Sequence, residues 1–300
     1  MKSLPALPVV SPCFSAAFRA VLHEVLARGA RLRGARQENQ RARRSALSQS
    51  GTFVGHRPYA RGDDLRGIDW SAYARSGELF VKQLEEEERR TATLLLDLSA
   101  SLLVGTPPRR LFALRLAALV GGMALRHLDG LLVLAPGAGP RARVVFQGPA
   151  DLDRLLAHLE DLPIAASEPR QTMELLLQRS AAGRVHWISD FADPSACEAV
   201  LAAVRRRGGH VTGWLPAIPE DAVAPKSGYV RIADPETGEH FTVAIDRLLA
   251  NELQRELELL RRRQDRLFAQ CGCPLLRWSV PATEVPDVAA YQELSALCSR

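Results

Sequence analysis

Aromatic side chains are scarce in this sequence, at 6% of residues, and the stretch densest in arginine, Arg19 to Arg44, contains no Phe, Tyr or Trp. Such a stretch offers no platform for stacking bases. The formal charge of +5 comes from 39 basic against 34 acidic residues spread along the chain, not from one concentrated basic face. No nucleic-acid partner is expected, and Arg19 to Arg44 reads as a solvated or partner-facing helix. Cysteine is also sparse. The five residues Cys13, Cys197, Cys271, Cys273 and Cys298 are an odd, scattered set, and the close pair 271/273 is one residue too tight for a CxxC redox or zinc motif. Reduced thiols are the simplest account.

Long hydrophobic runs are missing as well. The most apolar stretch, Leu111 to Leu125, is broken by Arg115 and falls short of the roughly 20 residues of a membrane span. Pro5, Pro8 and Pro12 interrupt the start, where a secretory signal would need an unbroken apolar core. A soluble, cytoplasmic protein without membrane insertion is therefore expected. The sequence has no GxxxxGK[ST], so it supplies no P-loop ATPase, and no GxSxG nucleophile elbow.

What is present is ample apolar content, 47% of 300 residues, enough for a sizeable core. Three regions separate by pattern. Residues 1–90 carry an N-terminal helix (Phe14 to Arg33) and a charged, aromatic-bearing segment read as a small β-rich accessory element. Residues 91–215 alternate short apolar runs with helical stretches, the mark of an open parallel sheet with helices on both faces. Expected strands are Ala92 to Leu96, Leu131 to Ala135, Arg143 to Phe146, Arg184 to Ile188 and His210 to Leu215. Expected helices are Arg109 to His127, Ala150 to Leu159, Met173 to Ala181 and Pro194 to Arg206. Residues 216–300 hold a hairpin around Pro235 to Gly238, a charged helix from Asp246 to about Phe268, an apolar Pro274 to Val280 and a short terminal helix.

The sharpest local signal is Leu94-Leu95-Leu96-Asp97-Leu98-Ser99-Ala100-Ser101, a buried-strand run that ends in DxSxS. Open α/β sheets place ligands at the carboxyl ends of their strands. Asp97 with the hydroxyls of Ser99 and Ser101 makes a hard oxygen set suited to Mg²⁺ or Mn²⁺. The plain alternative is that these residues cap the following turn. Trp187-Ile188-Ser189-Asp190-Phe191 is a second apolar strand ending in an acid, and Thr172 opens a helix ahead of it. Each has its own bland reading, Thr172 as an N-cap and Asp190 as a turn residue before Asp193-Pro194.

In this order Asp97, Ser99, Ser101, Thr172 and Asp190 resemble the metal-ion-dependent adhesion site of von Willebrand factor A-like domains, with Ala100, Gln171 and Met173 departing from its usual residues. The resemblance implies an A-like, Rossmann-like open sheet whose bound ion engages an acidic partner residue. A longer signature runs from Gly55-His56-Arg57-Pro58-Tyr59-Ala60-Arg61-Gly62-Asp63-Asp64 through Ile68-Asp69-Trp70 to Phe80-Val81-Lys82-Gln83-Leu84-Glu85. It resembles the segment preceding the A-like domain in the bacterial family called domain of unknown function 58. Its arginines and aspartates are read first as an ion-pair scaffold. The resemblance implies a non-enzymatic partner of a MoxR-type AAA+ ATPase, acting like a chaperone on client proteins. The alternative is a metal-dependent phosphohydrolase with Asp97 as nucleophile, for which Ser99 stands where a second acid is needed.

Overall fold

The computed structural model describes residues 13–28, 52–60, 67–85, 91–105, 108–128, 130–165, 172, 174–176, 183–218, 221, 227–234 and 239–279. Arg61 to Arg66 of the signature, the hairpin tip Pro235 to Gly238, Cys298 and the expected terminal helix lie outside them. The chain divides into two compact units, Arg31–Arg89 and a larger one of Met1–Ala30 with Arg90–Arg300.

In the smaller unit β1 (Thr52–Pro58) and β2 (Phe80–Glu85) pair antiparallel, from Thr52 opposite Glu85 to Pro58 opposite Phe80, with a shift between Phe53 and Gly55. The short helix α2 (Trp70–Ser76) starts at Asp69, whose Oδ1 accepts from the Ser71 and Ala72 amides at 3.0 and 3.1 Å. This side chain satisfies amides that have no partner within the helix. Its Oδ2 lies 2.8 Å from His56 Nε2. Asp69 of the signature is thus a helix cap braced by a histidine.

The larger unit is mixed α/β, with a central six-stranded, mostly parallel sheet flanked by helices. Its strands are β3 (Thr91–Leu96), β4 (Gly130–Leu134), β5 (Arg143–Phe146), β6 (Arg184–Ile188), β7 (His210–Ala217) and β10 (Leu275–Ser279), in the order β10-β7-β6-β3-β4-β5. Only β5 runs antiparallel to its neighbour. Side chains alternate across a strand. Leu94 and Leu96 therefore face one buried cluster and Leu95 the other, as do Leu131 and Val133 against Leu132 and Leu134.

The first face is covered by α1 (residues 16–28), α3 (Arg109–His127) and α4 (Leu152–Glu160). Leu152, Leu155, Leu156 and Leu159 form the apolar stripe of α4 at helical spacing. Arg115, which interrupts the apolar run of α3, is buried, but its Nε donates to Cys13 O at 3.1 Å and its guanidinium lies over the Phe18 and Phe112 rings. The second face is covered by α5 (Pro194–Arg206) and the carboxyl end of α6 (Arg247–Gln270). Asp193 and Asp246 cap these helices. A separate hairpin, β8 (Gly228–Ala233) with β9 (His240–Ile245), pairs antiparallel. The α/β core reaches beyond residues 91–215, because α1, α6 and β10 supply part of its apolar lining.

Candidate functional site

The sheet winds outward in two directions from β3, through β4 and β5 on one side and through β6, β7 and β10 on the other. Connections diverge between β3 and β6, leaving a crevice at their carboxyl ends where such sheets receive ligands. Leu96 pairs with Ile188 there, so Asp97 and Asp190 stand at neighbouring strand ends.

Asp97 is held from both sides. Its Oδ1 accepts from the Ser99 amide at 2.8 Å, and its Oδ2 accepts from the Ser189 hydroxyl at 2.7 Å. Ser99 Oγ and Ser101 Oγ lie 2.9 Å apart. Burial raises the Asp97 pKa above the ordinary carboxylate value, and the negative charge of Asp190 adds to this, while the hydrogen bonds from Ser189 and Ser99 oppose it. No cationic partner faces Asp97 among the described residues.

Asp190 is balanced differently. Its Oδ2 lies 3.2 Å from Arg109 Nη1, with both side chains buried, and Arg109 Nη2 also pairs with Asp221. The Nε of Arg109 is buried without a hydrogen-bond partner. Asp190 Oδ1 accepts from the Ala192 amide at 3.1 Å. The turn that follows is strained, since Phe191 (φ 52°) is the one non-glycine residue with positive φ among those described. Gln264 Nε2 donates to the carbonyls of Asp190 and Phe191 at 3.2 and 2.9 Å, and Ser189 Oγ accepts from the Phe191 amide at 3.0 Å. Three side-chain contacts thereby hold a backbone shape that a non-glycine residue rarely adopts.

The described hydrogen bonds thus bring Asp97, Ser99 and Ser101 together with Ser189, and the strand register sets Asp190 beside them. Thr172 is a buried residue of the helical segment ahead of β6. Among the described residues no three His, Cys, Asp or Glu side chains converge as metal ligands. The residues that could hold a cation here are the carboxylates of Asp97 and Asp190 and the hydroxyls of Ser99, Ser101 and Thr172, a hard oxygen set. Sequence reasoning missed Ser189, Arg109, Asp221 and Gln264. Ser189 lay inside a motif already singled out, whereas nothing local marks the other three. The nearby Cys197 is buried, and burial first, then Asp193, Asp97 and Asp190, push its thiol up to about 12, which disfavours the thiolate.

A doubly wound α/β protein with an acidic, hydroxyl-rich crevice at its switch point is the class these features define. The chain belongs to the family described as "Protein of unknown function DUF58", whose model matches residues 55–264. Uncharacterized proteins of Mycobacterium tuberculosis and Mycobacterium bovis are each 26% identical over 249 residues, covering 78% of this chain and 76% of theirs. A solved structure of an aerotolerance-related membrane protein from Bacteroides fragilis matches at 13% identity and a TM-score of 0.38, covering 70% of this chain and 98% of that one. That chain is described as a membrane protein, against the cytoplasmic location expected from the sequence. The expectation had rested on missing apolar runs. No described helix is long and apolar enough to cross a membrane, but a protein can work at a membrane without one.

Proposed function

We propose that the larger unit is a von Willebrand factor A-like interaction module in which Asp97, Ser99, Ser101, Thr172 and Asp190 hold Mg²⁺ or Mn²⁺. The bound ion would offer a coordination position to an acidic residue of a partner. The partner is a MoxR-type AAA+ ATPase, and the pair acts like a chaperone in assembling or activating client proteins. The doubly wound order around β3 and β6 supports the A-like assignment. The observation that carries the metal reading is Asp97 itself, a carboxylate at the switch point whose pKa burial raises and whose charge meets no cation among the described residues. A dication would supply that charge, with the Ser99 and Ser101 hydroxyls as neutral ligands beside it. Asp190 is shared with Arg109, so its share of the ion's charge balance is the smaller.

The test pairs thermal melting with capture of the purified ATPase, each with Mn²⁺ and with EDTA, for the parent and Asp97→Asn. Asn keeps an acceptor for the Ser99 amide and removes the buried charge, so the variant should melt no lower than the parent in EDTA. Mn²⁺ should raise the melting temperature and ATPase retention of the parent alone. Equal retention of the ATPase by the parent with the ion and with EDTA would end the reading.

A further inference from the structure

A cavity of about 90 Å³ opens beside the crevice, lined by residues of β7, α6 and β10 together with Arg109 and Asp190. That is several times the roughly 10–15 Å³ one water needs, and well below the roughly 300–1,000 Å³ of sites that enclose a drug-sized ligand. It suits one functional group on a short stem. Leu257 and Leu260 give it apolar wall, and its charged lining is three arginines, Arg109, Arg261 and Arg277, against two carboxylates, Asp190 and Asp221.

Two of these guanidinium groups are already engaged. Arg109 serves Asp190 and Asp221, and Arg277 pairs with Asp265 while its Nη2 donates to Gln264 Oε1 at 2.9 Å. Arg261 is half-buried, and the described residues supply it no carboxylate. An arginine with no ion-pair partner keeps its donor fork for water or for the anion of a ligand. An arginine fork matches a carboxylate in two-point geometry, and leucine walls favour a stem of methylenes.

We infer that this cavity binds a carboxylate carried on a short apolar stem, with Arg261 as the recognising group, either a glutamate side chain of a partner protein or a free short-chain acid. The cavity shares Asp190 with the proposed metal site, but the group that recognises the ligand is Arg261, which holds no ion. It should therefore work in EDTA, where ion-dependent capture is absent, so the two readings fail separately.

The experiment is saturation-transfer NMR on the full chain in EDTA, with propionate as the ligand. Propionate should bind saturably, and neutral propionamide and inorganic phosphate should each bind roughly tenfold more weakly, the first lacking the charge and the second the stem. Arg261→Gln should lose binding by a similar factor while keeping the parent's melting temperature, and Arg261→Lys should retain part of it. Leu257→Phe, which fills the cavity, should block it. Competition by a terminally blocked tripeptide with a central glutamate assigns the natural ligand to a protein side chain, and its absence assigns it to a free acid. The inference is overturned if propionate fails to saturate, if propionamide or phosphate binds as well, or if Arg261→Gln binds propionate like the parent.

Discussion

On β6, His186 is buried, and its Nδ1 accepts from the Trp214 indole Nε1 at 3.2 Å. The indole can only donate, so the imidazole is neutral with its proton on Nε2. Burial, with a smaller contribution from Arg184, lowers its pKa from 6.5 to about 4. The unfolded chain takes up a proton near 6.5 and the folded protein resists until about 4, so stability is lost as pH falls through that interval. Between pH 7 and pH 5 this one group should cost about 2 kcal/mol. His186→Gln keeps an acceptor for Trp214 and does not titrate, so urea unfolding at the two pH values should show a smaller loss for the variant. Equal losses in both proteins would place the pH dependence elsewhere. The same scale explains Asp97, Ser189 and Gln264: each matters through two or three hydrogen bonds that hold the crevice in shape.

At the scale of elements, the position of α6 against the sheet depends on an absent side chain. A Cβ added at Gly213 on β7 would come within 2.7 Å of Phe268 Cζ, closer than real contacts allow. Phe268 is fully buried and packs edge-on against Phe191 with ring centroids 5.0 Å apart, so it has little room to yield. Gly213→Ala should push α6 outward and cost about 1–3 kcal/mol, read by equilibrium denaturation. Because Phe191 follows Asp190, the displacement should also reach the crevice. A variant as stable as the parent would mean that α6 is loosely seated. Gly121 plays a similar part on α3, where an added Cβ would lie 2.6 Å from Leu155 Cδ2 of α4. Close helix packing, not backbone freedom, explains both glycines.

For the whole molecule, the α/β core is assembled from distant stretches of chain. Phe18, Leu22 and Leu26 of α1 and Phe268 of α6 are each almost fully buried, and β10 forms an edge of the sheet beside β7. A fragment of residues 91–215 would lack all of them. Burial of each large apolar side chain contributes about 1.5–3 kcal/mol, against a total stability of about 5–15 kcal/mol. The fragment should therefore lose near-ultraviolet circular dichroism and bind a hydrophobic dye, while the full chain does neither. A fragment as ordered as the full chain would show that these flanking elements are dispensable.

Local pattern by itself determined which segments become strands and helices. The expected limits of Arg143 to Phe146, Arg184 to Ile188, Arg109 to His127 and Pro194 to Arg206 coincide with those of β5, β6, α3 and α5. Apolar periodicity and caps such as Asp193 act over a few residues, and a sequence displays them directly. The acids and hydroxyls of the crevice were legible for the same reason, since strand-end motifs are contiguous. Tertiary structure alone decided the strand order, the insertion of Leu275–Ser279 beside β7, and the partners of the crevice carboxylates. Ser189 reaches Asp97 across 92 positions of chain and Arg109 reaches Asp221 across 112. Periodicity carries no record of which distant side chain will complete a charge or a hydrogen bond, and that pairing exists only once both faces of the sheet are covered.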